Sequence, residues 1–288
     1  MPSAQICLVL ASDSNYFGYL RDTLESIVRF PLGRTFDIKV ISIGMIAEHQ
    51  AWLRQNGIEV LTDLSRFPQF STGEKHYVAM TCRPYIPETF PGYAAYVWID
   101  SDIRFLQPDG LQFYVNHALN PANSVVIAHE SESTYSFNAN PISNREHHSD
   151  AFQRLSDEFG VEIAQYFQYY NMFNAGLFAA RADSPLWARY KRNLSITMPH
   201  GVHWGREQDA MNVAIAEVGN PMIAPPTYNW LCRYSMPVWN AAVRAWVTPA
   251  EPERKIAVAH LVNSNQLVTF QEQTVRMYEI YKQIGLTT

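Results

Sequence analysis

Two carboxylates, Asp100 and Asp102, follow an apolar segment at 93–99. The segment is short and rich in β-branched and aromatic residues, which is typical of a buried strand. Side chains two positions apart on a strand share a face, so both carboxylates can point at one site. A divalent cation would stabilise such a pair, since Mg²⁺ and Mn²⁺ prefer oxygen ligands and often carry phosphates. Taken alone, the pattern also fits a solvated turn.

A second polar group follows the apolar segment 6–10 and contains Asp13, Asn15 and Tyr16. A carboxylate or an amide can hydrogen-bond a base edge or ribose hydroxyls, and an aromatic ring can stack on a base. The glycine-rich fingerprint of dinucleotide-binding proteins is absent from this segment. The alternative is structural, because Asp13 or Ser14 could simply cap the next helix.

Three further polar groups interrupt or end apolar segments. Asn174 lies inside the apolar stretch 170–178, where a buried amide must pair with the backbone or a ligand. The polar cluster 206–212 opens an apolar helix, and helix capping would also explain it. His260 lies in the apolar segment 257–262 at the exit of a predicted strand, a position where a histidine is more often a core residue than a ligand.

The elements that would position these groups alternate along the first third of the chain. Apolar segments of strand length are separated by segments with helical periodicity, which favours a parallel sheet with helices on its faces. Ligands of such folds bind at the carboxyl ends of the strands. We predict strands at 6–10, 38–43, 58–61, 93–99 and 125–128; helices at 17–29, 47–56, 150–167, from 184, at 208–218 and at 271–284; a binding loop at 131–145; and irregular structure at 225–252.

Composition narrows the functional classes. The chain has 288 residues, 47% of them hydrophobic, a net charge of -5 and no basic run, so nucleic acid is not expected as the main partner. Three dispersed cysteines indicate reduced thiols of a cytoplasmic protein. No signal peptide and no transmembrane segment is expected. Peripheral association with the inner face of a membrane, and homo-oligomerisation, stay open.

The order of these motifs resembles one family over 6–260. An Asp/Asn-bearing exit from the first strand is followed by Asp-x-Asp, Phe-Asn-Ala-Gly, Glu-Gln-Asp-Ala-x-Asn, Tyr-Asn-Trp-Leu and a late strand ending in His. This order is similar to that of the retaining glycosyltransferases of the glycogenin and lipopolysaccharide galactosyltransferase family (family 8-like). The resemblance implies a GT-A type α/β fold with a mixed central sheet flanked by helices. It also implies a single domain over 1–288, with a nucleotide-binding half at 1–105, a donor-sugar and acceptor half at 106–262 and a C-terminal helix within 263–288.

The resemblance also implies roles for individual residues. The metal, Mn²⁺ or Mg²⁺, would be held by Asp100, Asp102 and His260. The nucleoside and ribose would contact Asp13, Asn15, Tyr16 and Ser101, whereas the phosphates and the transferred sugar would contact Arg83, Asn174 and, less specifically, Lys75. The reactive side of the sugar would face Glu207, Gln208 and Asp209, with Gln208 at the reactive face and Asp209 holding sugar hydroxyls.

One segment departs from the family pattern. Family members continue after the histidine to Gly and then Lys-Pro-Trp, but here 261–266 contain no lysine. Asn263 or Asn265, or Arg83 together with the metal, could bind the diphosphate instead.

The expected function is metal-dependent transfer of a hexose from a nucleotide diphosphate sugar, most simply a UDP-sugar, to an acceptor hydroxyl with retention. The acceptor could be a saccharide, a lipid-linked group or a protein. A non-catalytic sugar-nucleotide-binding protein is one alternative. A phosphatase or phosphotransferase that uses Asp-x-Asp as its nucleophile motif is the other, and it is disfavoured because three predicted strands precede the motif.

Overall fold

The computed structural model describes residues 6–68, 77–139, 141–201, 203–262, 267–270 and 273–287. The strands are β1 Ile6–Ser12, β2 Asp37–Ser42, β3 Glu59–Leu61, β4 Ala95–Ile99, β5 Ile103–Phe105, β6 Val126–His129, β7 Phe173–Arg181, β8 Met222–Ala224, β9 Trp230–Leu231, β10 Val238–Asn240, β11 Ala245–Val247, β12 Val258–His260, β13 Leu267–Phe270 and β14 Gln273–Arg276. The helices are α1 Phe17–Val28, α2 Ala47–Gln55, α3 Val78–Thr81, α4 Ile86–Thr89, α5 Pro108–Ala118, α6 Ser136–Ala139, α7 Pro141–Phe159, α8 Val161–Tyr169, α9 Leu186–Thr197, α10 Trp204–Val218 and α11 Met277–Gln283.

A seven-stranded sheet in the order β3-β2-β1-β4-β7-β6-β8 lies at the centre. Its pairs are parallel except those of β7, which runs antiparallel to both β4 and β6. Every residue of β1 and β4 is buried, as expected of strands covered on both faces. The mixed α/β sheet predicted from the sequence is therefore confirmed.

Alternate residues of β1 enter two separate cores, one on each face of the sheet. Leu8 packs in the core that α1, α2 and α5 cover, whereas Val9 packs in the core that α9 and α10 cover. This alternation follows from the two-residue period of strand side chains. The helices thus hold the strand ends in fixed positions, and the predicted polar groups lie at those ends.

A second sheet of three strands, in the order β5-β12-β9, lies beside the central sheet. β12 runs antiparallel to β5 and parallel to β9. Its last residue, His260, is therefore opposite Ile103 and next to Leu231. The Asp102 carbonyl accepts a hydrogen bond from the Leu261 N–H at 3.0 Å, which fixes the Asp-x-Asp turn against the end of β12.

Several predicted boundaries were wrong. The loop predicted at 131–145 contains α6 and the first turn of α7, because the sequence there is too polar to show an apolar helical period. The helix predicted at 150–167 is two helices, divided at Gly160, whose φ of +90° is incompatible with helix. The helix predicted at 271–284 begins only at Met277, because Thr274 and Val275 belong to a strand paired with β13.

Smaller differences concern one helix boundary and short strands. The last predicted internal helix begins at Trp204, four residues before 208. The stretch 225–252, predicted as irregular, contains β9 and the β10–β11 hairpin.

All three cysteines, Cys7, Cys82 and Cys232, are free and buried, as the sequence predicted. Burial raises the pKa of each thiol, to about 12 for Cys7, so these side chains are neutral core residues at physiological pH. Across the part of the chain that the structure describes, we find no helix with the length and apolar character that a membrane span requires.

Candidate active site

Asp100, Asp102 and His260 meet where β4 and β12 end and β5 begins. Each offers one ligand atom, and these atoms lie within 4.8 Å of one another. His260 Nε2 is 3.4 Å from Asp102 Oδ1. Two carboxylate oxygens and one imidazole nitrogen form a donor set that suits Mn²⁺ or Mg²⁺ better than a metal that prefers thiolates.

A chain of amide hydrogen bonds fixes the tautomer of His260. Gly176 N–H donates to Asn174 Oδ1 at 3.1 Å, and Asn229 Nδ2 donates to the same oxygen at 3.1 Å. The remaining oxygen of Asn229 therefore faces His260 Nδ1, also at 3.1 Å. Nδ1 must then carry the proton in the neutral ring, which directs the Nε2 lone pair at the carboxylates. Metal-binding histidines are held in this way.

Gly176 lies against two of the three ligands, His260 and Asp100. A Cβ at this position would be 2.3 Å from His260 Cε1 and 2.8 Å from Asp100 Oδ2. Its backbone also positions the site, since Gly176 O accepts a hydrogen bond from Asp100 N–H at 2.8 Å. The close approach of strand and ligands is therefore possible only because this residue has no side chain.

Arg83 joins two carboxylates below the ligand cluster. Its Nη1 donates to Glu207 Oε2 at 2.6 Å and its Nη2 donates to Asp100 Oδ1 at 2.8 Å. Asp100 Oδ1 also accepts a hydrogen bond from Trp98 Nε1 at 2.7 Å, so Asp100 Oδ2 is left for a ligand. This pairing orients Asp100 rather than leaving the guanidinium free for a substrate.

Burial and neighbouring charge shift the acidity of these groups. Burial raises the pKa of Asp100, partly offset by Arg83, and it raises the pKa of Glu207 to about 7. Burial also acts to raise the pKa of Asp102, but the adjacent His260 outweighs it and lowers that pKa. Burial lowers the pKa of His260, but Asp102 outweighs it and raises that pKa. Buried groups with such opposed shifts are typical of functional sites.

A cavity of about 700 Å³ opens above the cluster. Eleven of the twelve site residues predicted from the sequence line it, and Asp209 does not. The lining residues are Ala11, Ser12, Asp13, Asn15, Tyr16, Ile43, Ala79, Met80, Arg83, Asp100, Ser101, Asp102, Glu130, Asn174, Gly176, Glu207, Gln208, Arg233, Tyr234, His260 and Val262.

The β1 end of the cavity combines structural and exposed polar groups. Asp13 Oδ1 accepts a hydrogen bond from Tyr16 N–H at 2.8 Å, so Asp13 orders the turn before α1 while it lines the cavity. Ser101 Oγ donates to Ala11 O at 2.6 Å and ties the Asp-x-Asp turn to β1. Asp13 does not cap α1 as the sequence alternative suggested, since the N-cap residue is Tyr16 and no side chain makes a capping hydrogen bond.

Gln208 and Asn174 face Glu130 at the β6 end of the cavity. Gln208 Nε2 donates to Glu130 Oε2 at 2.8 Å, and Asn174 Nδ2 lies 3.4 Å from Glu130 Oε1. Gln208 Oε1 accepts a hydrogen bond from Ala175 N–H at 3.2 Å. Glu130 was not predicted as a site residue, although it directly follows β6 and the strand-end rule could have found it.

Asp209 is fully buried behind the cavity. It accepts hydrogen bonds from Arg154 Nε at 2.7 Å and Nη2 at 3.3 Å. Because α10 turns about 100° per residue, Asp209 faces away from the cavity that Gln208 faces. The structure therefore places Asp209 where it anchors α10 to α7 rather than beside a sugar.

Two other cavity residues gave little signal in the sequence. Arg233 and Tyr234 follow β9 in a stretch that was predicted as irregular. Asn229, which contacts His260, directly precedes β9 and belongs to the Tyr-Asn-Trp-Leu motif. Lys75, Asn263 and Asn265, which were predicted as further ligand contacts, lie outside the described residues.

No protein-family model matches this sequence, and no curated protein sequence matches it. Solved structures do. The galactosyltransferase LgtC, in complex with donor and acceptor sugar analogues, has a TM-score of 0.58 at 14% identity, covering 98% of this chain and 96% of LgtC. Mouse xyloside xylosyltransferase 1 has a TM-score of 0.55 at 11% identity, with 91% and 99% covered.

The bifunctional glycosyltransferase WbbM is similar over part of its length. Its TM-score is 0.56 at 15% identity, and the match covers 99% of this chain but 50% of WbbM. Identities this low establish an architecture, and the three proteins share one architecture. The chain therefore has the GT-A glycosyltransferase fold that the order of its motifs predicted.

Proposed function

We propose that this chain is a metal-dependent glycosyltransferase. It would transfer a hexose from a nucleotide diphosphate sugar, most simply a UDP-sugar, to an acceptor hydroxyl with retention at the anomeric carbon. The observation that supports this best is the cluster of Asp100, Asp102 and His260 at the wall of a cavity of about 700 Å³. The GT-A fold and the sugar-transfer activities of LgtC and xyloside xylosyltransferase 1 support this proposal.

The residues present fit a divalent cation. The donor atoms converge, the amide chain through Asn229 directs the His260 lone pair inward, and Gly176 leaves the space that a Cβ would fill. When bound, Mn²⁺ or Mg²⁺ would supply Lewis acidity for the charge that develops on a leaving diphosphate. Arg83 would hold Asp100 in its binding orientation from below.

The donor would lie along the cavity with its nucleoside at the β1 end. Asp13, Asn15 and Tyr16 supply a carboxylate, an amide and an aromatic ring there, which suit base and ribose contacts. The diphosphate would then reach the metal cluster, and the sugar would reach Gln208 and Glu130. A cavity of this volume accommodates a sugar nucleotide.

The residues around the sugar favour a front-face route. In this route the leaving phosphate accepts the proton of the acceptor hydroxyl on the side from which it departs. A covalent route would need a carboxylate nucleophile beside the sugar, but Asp209 is bound by Arg154 outside the cavity and Glu207 is paired with Arg83. Both oxygens of Glu130 face amide donors. The chain would contribute mainly positioning and fixed dipoles.

Two alternatives have less support. The phosphatase mechanism needs Asp100 or Asp102 as a nucleophile on the first strand, but the motif follows β4, and Asp100 Oδ1 is held by Arg83 and Trp98. A non-catalytic sugar-nucleotide-binding protein would use the same cavity and is separated by the assay below. We further propose a cytoplasmic location, supported by the free buried thiols, with a single domain over 1–288.

The deciding experiment combines binding and turnover. Calorimetry of UDP should show binding with Mn²⁺ that is lost with a chelator, and a panel of sugar nucleotides should show metal-dependent hydrolysis of one donor. Asp102→Ala should abolish both, whereas Asp183→Ala, at an exposed site paired with Arg181, should leave both unchanged. Retained activity in Asp102→Ala would refute the metal site. If sugar nucleotides bind but none is hydrolysed or transferred, the proposal that the chain is an enzyme is refuted.

A further inference from the structure

Arg233 lines the cavity without an ion-pair partner. Its guanidinium lies 5.8 Å from the centre of the Tyr234 ring, a cation–π contact, and no carboxylate among the described residues forms a salt bridge with it. Burying part of an arginine beside an aromatic ring leaves its N–H groups available for an acceptor outside the protein. A free guanidinium in a cavity therefore needs an explanation.

The three-stranded sheet places Arg233 at the metal end of the cavity. His260, the last residue of β12, pairs with Leu231, the last residue of β9. The pairing continues one residue further, where Cys232 N–H donates to His260 O at 2.9 Å. Arg233 is the next residue. It lies in the turn after β9, where Tyr234 N–H donates to Leu231 O at 3.0 Å, and is thus two residues beyond the strand partner of the metal-site histidine.

The other guanidinium group that lines the cavity, that of Arg83, is already paired with carboxylates. Arg83 binds Asp100 and Glu207, and its two terminal nitrogens are engaged. Within the described part of the cavity, Arg233 is therefore the cation that has no carboxylate to neutralise. The cavity wall otherwise carries the carboxyl groups of Asp13, Asp100, Asp102, Glu130 and Glu207, which would repel an anion.

We propose that Arg233 binds the phosphate oxygens of the donor at the metal end of the cavity. The inference rests on the proposed function, because it takes a nucleoside diphosphate as the ligand. A planar guanidinium can donate two parallel hydrogen bonds to a phosphate, which adds orientation as well as charge. Arg233 is thus a binding residue for the diphosphate and has no part in holding the nucleoside.

This role predicts a dependence on the phosphates of the ligand. With Mn²⁺ present, Arg233→Met should weaken binding of UDP by about ten- to a hundredfold, the range for a charged hydrogen bond. It should leave uridine binding unchanged, and Arg233→Lys should recover part of the loss by restoring charge without the fork. Methionine keeps the apolar stem, and a thermal melt checks that the variant folds. Arg244→Ala, an exposed arginine at the β10–β11 turn, controls for the loss of one positive charge.

Calorimetry with UDP, the three other common nucleoside diphosphates and their nucleosides separates the outcomes. If the wild type binds a diphosphate with Mn²⁺ and Arg233→Met binds it within twofold, this inference is wrong and the proposed function stands. An equal loss for nucleoside and diphosphate would also overturn it, because Arg233 would then support the cavity as a whole. If the wild type binds none of the diphosphates, the proposed donor is refuted, and the role of Arg233 with it.

Discussion

Replacing Gly176 with alanine should break the metal site by steric contact alone. The added methyl group would lie 2.3 Å from His260 Cε1, 2.8 Å from Asp100 Oδ2 and 3.0 Å from Asn174 Oδ1. Carbon atoms in contact are separated by about 3.5–4.0 Å, so at least one ligand must move by more than 1 Å. β7 cannot move instead, because it is hydrogen-bonded on both sides by β4 and β6.

The magnitude follows from two opposing effects. Glycine to alanine at an unstrained position stabilises a protein by about 0.4–1 kcal/mol through the unfolded state. Overpacking of a filled site costs about 1–3 kcal/mol. We expect Gly176→Ala to lower the free energy of unfolding by about 1–2 kcal/mol and to weaken Mn²⁺ binding by about 10- to 100-fold, as loss of ligand orientation does.

Urea unfolding and calorimetry of Mn²⁺ measure both quantities. Gly18→Ala is the matched control, since no atom lies within 4 Å of a Cβ at that helical position. It should stabilise the protein slightly and bind Mn²⁺ normally. If Gly176→Ala is as stable as the wild type and binds Mn²⁺ within twofold, the argument that these ligands converge over Gly176 is wrong.

Three further predictions concern groups around the site. Arg154→Met should lower the free energy of unfolding by about 3–5 kcal/mol because it leaves buried Asp209 unpaired, and adding Asp209→Asn should recover part of this loss in urea unfolding. Burial raises the pKa of Glu158 to about 7 despite its contact with Arg206. Ionisation of Glu158 therefore lowers the free energy of unfolding as pH rises from about 4.5 through 7. Between pH 5.5 and 8.5, the free energy of unfolding of Glu158→Gln should rise by about 2 kcal/mol relative to that of the wild type. Asn229→Ala should weaken Mn²⁺ binding about 10-fold in calorimetry by releasing the imidazole tautomer, without changing uridine affinity.

The strands of the central sheet could be predicted because their apolar composition alone indicates that they are buried. Val97 and Trp98 could not be solvent-exposed, and a buried strand must end before the two carboxylates of Asp100 and Asp102. The strand-end rule then located Asp100 and Asp13 without any knowledge of contacts. Local composition and long-range position agree at these residues, since parallel strands bring their carboxyl ends to one edge.

Which arginine pairs with which carboxylate could not be predicted from the local sequence pattern. Asp209 and Glu207 are two residues apart on one helix, yet one meets Arg154 from α7 and the other meets Arg83. Nothing in the segment 204–218 distinguishes them, because the difference depends on where α7 packs. Arg233 could not be identified from the sequence for the same reason. Its role depends on the pairing of β9 with β12, and β12 begins 27 residues after β9 ends.

The charges around the cavity also explain why metal and donor should bind as a unit. Five carboxyl groups and two guanidinium groups line the described part of the cavity, and Arg83 forms salt bridges with two of the carboxylates. A diphosphate that approaches this wall alone meets an excess of negative charge in a partly buried site, where repulsion is poorly screened. A divalent cation on Asp100, Asp102 and His260 reverses the local field, so it should raise nucleotide affinity. By linkage, the nucleotide must raise metal affinity by the same factor. Arg233 affects that coupling only through its contact with the phosphates of the nucleotide, because it orients none of the metal-binding residues.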